Sequence, residues 1–172
     1  IGEGELIEAV AFWRHQLGLD DVVDLVGAVT PSEITAHQHW ADVFLHAATS
    51  EGFCNAAIEA QGHGVPVVCS DADGLPENIE DGVTGLVVRR RDHAALANAM
   101  ERIARDPILR RDLAASGPRR VERLFRLDHQ LAAWETFYEQ ALHDHSLGWS
   151  RSAAVAPEAG PQLGGHGSNA PS

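Results

Sequence analysis

"DVFLHAATSEGFCNAAIEAQGHGVPVVCS", residues 42–70, holds two apolar runs, DVFLHA (42–47) and PVVCS (66–70), around the turn ATSEG and the small-residue stretch FCNAAIEAQGHG. A run of strand length, a glycine turn, a helix-length segment and a second run make a βαβ unit. Neither run alternates polar with apolar residues, as expected of strands covered by helices on both faces. Two further runs of the same kind, VVDLVG (22–27) and GLVV (85–88), flank the unit. Four strands alternating with helical patterns predict an α/β fold with a parallel sheet flanked by helices.

The helices carry their own punctuation. Thr30, Pro31 and Glu33 supply an N-cap, a first-turn proline and a capping-box acid, which predicts a helix over 31–39. Amphipathic spacing predicts helices over 4–18, 92–105 and 108–116, and a short one restarting at Pro76. In the last helical pattern, from Leu127 to Leu142, the residues Leu127, Leu131, Trp134, Phe137, Tyr138 and Leu142 form one stripe, expected either to be buried in the domain's own core or, lacking part of its partner, to be left exposed and favour self-association. From Ser146 on, the chain is rich in Gly, Pro, Ala and Ser without apolar period, so 1–145 is predicted as a domain and 146–172 as a disordered tail. The opening IGEGE reads as a loop leaving a strand that is not in the sequence, so the domain is expected to be truncated at its N-terminus.

Composition excludes several classes. Thirteen arginines and no lysine face 25 acidic residues for a net charge of −12, the wrong balance for a nucleic-acid groove. No apolar run approaches the ~20 residues that span a bilayer, and the chain reads as cytosolic, with peripheral contact at the inner membrane face left open. Cys54 and Cys69 lack a metal-ligand or disulfide pattern and are expected to be buried thiols. His37 and His39 lack acidic or cysteine companions at ligand spacing, and Arg89, Arg90 and Arg91 are expected to be a solvated loop.

The turn between the two runs of the βαβ unit carries the chemistry. In open parallel sheets ligands sit beyond the carboxyl ends of the strands, where helix N-termini offer unpaired N–H groups. A helix from about Phe53 puts Glu51 at its mouth and Asn55, Glu59 and His63 along one polar face. Ala56, Ala57, Ala60 and Gly64 then leave faces small enough to press on the sheet. Gly52 lets an anion approach the amides of Gly52, Phe53 and Cys54, while the carboxylates of Glu51 and Glu59 can accept hydrogen bonds from vicinal hydroxyls. Phosphate beside amides and hydroxyls beside acids point to a sugar nucleotide; the alternative is a solvated helix stripe whose first acid complements the helix dipole. The next loop, CSDADGLPENIEDGVTG, brings Gly74, Leu75 and Glu77 toward the same edge. His46, just before the turn, is a further candidate for the cleft.

Together these residues resemble the C-terminal, donor-binding half of group-1 (family 4) retaining glycosyltransferases of the GT-B fold, over roughly residues 1–142. The resemblance rests on the E-x7-E element from Glu51 to Glu59, opened by EGF and closed by EA, then G-x-PVV, G-x-PE and TGLVV. It implies a Rossmann-like domain that binds a nucleotide-diphosphate sugar and passes a hexosyl group to a hydroxyl acceptor on a glycan, lipid or small molecule. Glu51 would touch the donor hexose near its anomeric centre and Glu59 the ribose hydroxyls. Gly52, Phe53 and Cys54 would offer main-chain amides, and Val26 and Gly27 would lie beside the base. No bound metal is implied. The chain departs from the family pattern at Ala47-Ala48, where Pro-Ser is common, and at Asp73-Gly74, where a glycine pair is common. The family's N-terminal, acceptor-binding domain and its diphosphate-neutralising Arg and Lys are absent, so the chain is expected to be inactive alone. The rival expectation is a non-catalytic nucleotide-sugar-binding module or partner subunit. A dinucleotide oxidoreductase is disfavoured because no G-x-G-x-x-G follows a strand.

Overall fold

The computed structural model of the chain describes residues 1–146. In chain order its elements are α1 (Ile7–Gln16), α2 (Pro31–Trp40), β1 (Phe44–His46), α3 (Asn55–Gly62), β2 (Val67–Ser70), α4 (Leu75–Asn78), β3 (Gly85–Val88), α5 (His93–Arg105), α6 (Pro107–Leu124) and α7 (Leu127–Ser146). Residues 1–130 form one compact unit, and residues 131–146 belong to a second.

All four residues of β2 are buried, and β2 pairs in parallel with β1 on one side and β3 on the other. Side chains alternate across a strand, so a central strand with both faces covered has no position left for a polar residue to reach water. Val67 and Cys69 accordingly join Ala57, Ala60, Leu75 and Ile79 in one core layer, while Val68 joins Leu86, Leu96, Ile103 and Leu113 in the other. Of α3's small residues, Ala57 and Ala60 press inward as expected, but Ala56 is exposed.

The contact between α3 and α6 has a similar cause. A Cβ on Gly117 would stand 2.7 Å from the Gln61 carbonyl oxygen, so only glycine lets the two backbones approach this closely. The helix predicted over 108–116 therefore runs on through Gly117 and Pro118 to Leu124. An interior proline costs a helix ~3 kcal/mol, and packing against α3 offsets it. Beyond the proline, Arg120 donates to the carbonyls of Glu77 (2.9 Å) and Asn78 (3.4 Å) and to Glu80 Oε2 (3.1 Å), capping the end of α4. The capping box of α2 forms as predicted: Thr30 N–H donates to Glu33 Oε2 at 2.7 Å, and Thr30 Oγ1 accepts from Glu33 N–H.

One expectation is corrected and one choice decided. VVDLVG (22–27) is not a strand: it has no ladder partner among the described residues, and Val22, Val23 and Val26 are exposed. One backbone bond, from Gly2 N–H to the Gly27 carbonyl at 2.8 Å, does not make a ladder, and an apolar run without a neighbouring strand stays a loop. The α7 stripe is exposed, not buried: Leu127, Leu131, Trp134, Phe137, Tyr138 and Leu142 all face solvent, with Trp134, Phe137 and Tyr138 packed on one another at ring distances of 5.7–6.0 Å. Of the tail predicted from Ser146, only Ser146 is described, as the last residue of α7; 147–172 lie outside the described residues.

Candidate functional site

The carboxyl edge of the sheet is where the turn after β1 meets the loop after β2. Glu51 lies in that turn, and its backbone is held at both ends: its N–H donates to Asp73 Oδ2 at 3.2 Å, and its carbonyl accepts from Gly74 N–H at 2.9 Å. Its carboxylate is aimed by His46, the last residue of β1, whose Nε2 lies 2.9 Å from Glu51 Oε2. The two side chains are 29% and 27% exposed, enough to meet a ligand and too little to swing freely. A Cβ on Gly74 would fall 1.7 Å from the Gly52 carbonyl oxygen, so the two loops fit together only with glycine at 74.

Helix α3 starts later than the sequence indicates, at Asn55 with Cys54 as N-cap, so Gly52 and Phe53 are loop residues. The Cys54 amide is not free for an anion, because it donates to Asn78 Oδ1 at 2.9 Å in a buried bond. That removes Cys54 from the predicted amide donors; the amides of Gly52 and Phe53 make no hydrogen bond among the described residues. Phe53 is 54% exposed, and its ring meets Phe125 edge-on at 5.8 Å. Glu59 stands exposed on the outer face of α3 with Asn55 and His63, as its spacing predicts. Burial pushes the Cys54 thiol up, and the negative charges of Glu51 and Glu59 add to that rise.

The other predicted residues are less closely tied. Glu77 is exposed on α4, its N–H donating to the Gly74 carbonyl at 3.1 Å and its own carbonyl accepting from Arg120. Val26 and Gly27 lie in the unpaired loop, and none of their hydrogen bonds reaches residues 51–59. Two surface hollows among the described residues lie elsewhere and are lined by neither glutamate.

Three residues escaped the sequence reading. Asn78, fully buried, holds the start of α3. Asp73 accepts from Ser50 Oγ at 2.7 Å and from the Glu51 amide. Arg90, expected in a solvated loop, bonds to Asp71, Asp73 and the Thr49 carbonyl. The signals were faint: the asparagine follows the G-x-PE element directly, and the aspartate stands where a glycine is common. Ser50, then Arg90 and the Glu51 amide, hold the Asp73 carboxyl below the usual carboxylate range; Asp71 is lowered chiefly by the Arg90 backbone N–H. As for a metal, a ring nitrogen of His46, a carboxylate oxygen of Glu51 and Cys54 Sγ lie within 4.8 Å of one another and are the described residues that could gather round one. The Cys54 thiol is disposed against it by burial, since a metal ligand must be a thiolate.

A sequence profile of the family described as "Glycosyl transferases group 1" matches residues 1–120. A D-inositol 3-phosphate glycosyltransferase from Streptomyces scabiei is 35% identical over 130 residues, covering 76% of this chain and 29% of the relative. A GDP-mannose-dependent alpha-(1-6)-phosphatidylinositol monomannoside mannosyltransferase from Mycobacterium tuberculosis is 30% identical over 135 residues, covering 74% of this chain and 35% of the relative. The solved structure of sucrose-phosphate synthase from Thermosynechococcus elongatus superposes with a TM-score of 0.74 at 31% identity, over 80% of this chain and 34% of that one. The chain thus spans only about a third of the length of each of these three proteins. With the E-x7-E loop at the carboxyl edge of a parallel, helix-flanked sheet, the match over residues 1–120 shows that this chain belongs to the group 1 glycosyl transferases and has the C-terminal, Rossmann-like half of the GT-B fold.

Proposed function

We propose that this domain binds the nucleotide-diphosphate sugar donor of a retaining hexosyl transfer to a hydroxyl acceptor. The observation that carries it is Glu51: a carboxylate oriented by His46, fixed through both its amide and its carbonyl, and set beside two unengaged amides. The Gly52 and Phe53 amides and the N-terminus of α3 receive the diphosphate, where partial positive charge stabilises an anion. The Glu51 carboxylate faces the hexose and stabilises the positive charge that grows at the anomeric carbon as the leaving diphosphate departs. Glu59 accepts from the ribose hydroxyls, Gly74 and Glu77 close the sugar side, and Val26 and Gly27 lie beside the base. Amides acting on the leaving group make a bound metal unnecessary. Transfer needs a second, acceptor-binding domain over the carboxyl edge, so this domain alone holds donor without turning it over, in the cytoplasm. The relatives named for GDP-mannose and inositol phosphate chemistry support a sugar-nucleotide donor and a polyol acceptor.

The test is a coupled assay of transfer and donor hydrolysis across a panel of UDP-, GDP- and ADP-hexoses on the protein in its longest natural form. Turnover with at least one donor, lost in Glu51→Gln, is the expected result. No transfer and no hydrolysis with any donor would favour a non-catalytic binding module.

A further inference from the structure

The sheet register brings two charged loops together. Ser70 at the end of β2 pairs with Val88 at the end of β3, so Asp71, one residue beyond the first, and Arg90, two beyond the second, emerge close together. Arg90 N–H donates to Asp71 Oδ1 at 2.7 Å, and its Nη2 donates to the Asp71 carbonyl at 2.6 Å. Its Nη1 reaches Asp73 Oδ1 and the Thr49 carbonyl, each at 3.2 Å. One guanidinium therefore ties the turn before Glu51 to the loop after β2. The second oxygen of Asp73 then takes the Glu51 amide and Ser50 Oγ. Asp73 holds this position with φ +38°, a backbone state that L side chains rarely adopt. A non-glycine residue persists in such a state only where its surroundings over-determine it.

We infer that Arg90 is a positioning residue that sets the Glu51 carboxylate by holding Asp73 in its left-handed conformation against the Ser50–Glu51 turn. This rests on the donor assignment above. Arg90 touches no donor atom; it acts through Asp73, and the pair does together what a glycine could do alone at position 73, where left-handed backbone carries no steric penalty. Lysine would not replace it, because a single ammonium cannot span two carboxylates and two carbonyls in one plane.

A double-mutant cycle tests this in the longest natural form of the protein, with wild type, Arg90→Ala, Asp73→Gly and the double variant compared for donor turnover and nucleoside diphosphate affinity. Arg90→Ala is expected to lower kcat by about tenfold or more through misplacement of Glu51. It should leave the diphosphate Kd within about twofold, a split that general loosening of the fold would not give. On the Asp73→Gly background the same substitution should cost almost nothing further. Equal losses on both backgrounds, or an unchanged kcat in Arg90→Ala, would overturn the inference. If Arg90→Ala does not fold, Arg90→Lys replaces it, with the same loss of kcat expected and an unchanged kcat overturning it. Glu51→Gln separates the two claims: wild-type turnover in that variant sinks the donor assignment. The hold on the loop is then read from hydrogen exchange at the Glu51 and Gly74 amides, which quickens in Arg90→Ala if the guanidinium holds the loop and stays unchanged if it does not.

Discussion

Gly74→Ala puts a number on how tightly the two loops are joined. Gly74 has φ −81°, ψ −6°, a conformation open to any L residue, so alanine brings no backbone strain of its own. What it brings is a methyl carbon 1.7 Å from the Gly52 carbonyl oxygen and 2.9 Å from its carbon, against a floor of 3.0 Å that real Cβ contacts respect. The loops must part by more than an ångström, and the obstructing atoms are backbone that cannot rotate away. That movement stretches the 2.9 Å bond from Gly74 N–H to the Glu51 carbonyl out of range. Forced overpacking costs about 1–3 kcal/mol and the lost bond about 1 kcal/mol more, so about 2–4 kcal/mol is expected. Urea unfolding followed by far-UV circular dichroism, at unchanged m value, measures it. Gly27→Ala is the control: it has φ +80° with nothing within 4 Å of the added carbon, so it should cost only conformational strain of about 1 kcal/mol. A Gly74→Ala variant within about 0.5 kcal/mol of wild type would refute the steric argument.

Other outcomes follow from single residues. Asn78→Ala leaves the buried Cys54 amide without an acceptor and should destabilise by about 2–3 kcal/mol in the same unfolding assay; wild-type stability would show that bond to be dispensable. Burial pushes the Cys69 thiol up to about 12 and raises Cys54 as well, so neither should react with a disulfide reagent at pH 8 until the protein unfolds; rapid labelling of the native protein would contradict this. The carboxyls of Asp71 and Asp73 sit below their ordinary 3.8 in the fold, so the stability they add is complete above that pH and is lost as pH falls through their folded values. Wild type should therefore lose more of its urea midpoint below about pH 4 than the variant with Asp71→Asn and Asp73→Asn, and parallel acid profiles would contradict it.

Local pattern revealed what local physics decides. The capping box of α2, the paired runs of β1 and β2, and the outward face of Asn55, Glu59 and His63 follow from spacing over a few residues, and the fold keeps them. What depends on distant partners stayed hidden. VVDLVG has strand composition but no neighbouring strand, and nothing within the run reveals that. Pro118 looks like a helix end until Gly117 is seen pressed on Gln61. Arg90 looks as solvated as its exposed neighbours Arg89 and Arg91 because its partners lie 17 to 41 positions away and meet it only through strand register. The Cys54 amide looked free for the same reason: its acceptor, Asn78, is 24 residues downstream.

Calorimetric titration of the folded chain with UDP, GDP and ADP, repeated on Glu59→Ala, bears most directly on the claim that a nucleotide diphosphate lies between the two glutamates. At least one of the three should bind with one-to-one stoichiometry, and Glu59→Ala should weaken it by about tenfold or more, the worth of a hydrogen bond from a hydroxyl to a carboxylate. Binding of none of them, or equal affinity in Glu59→Ala, would contradict it.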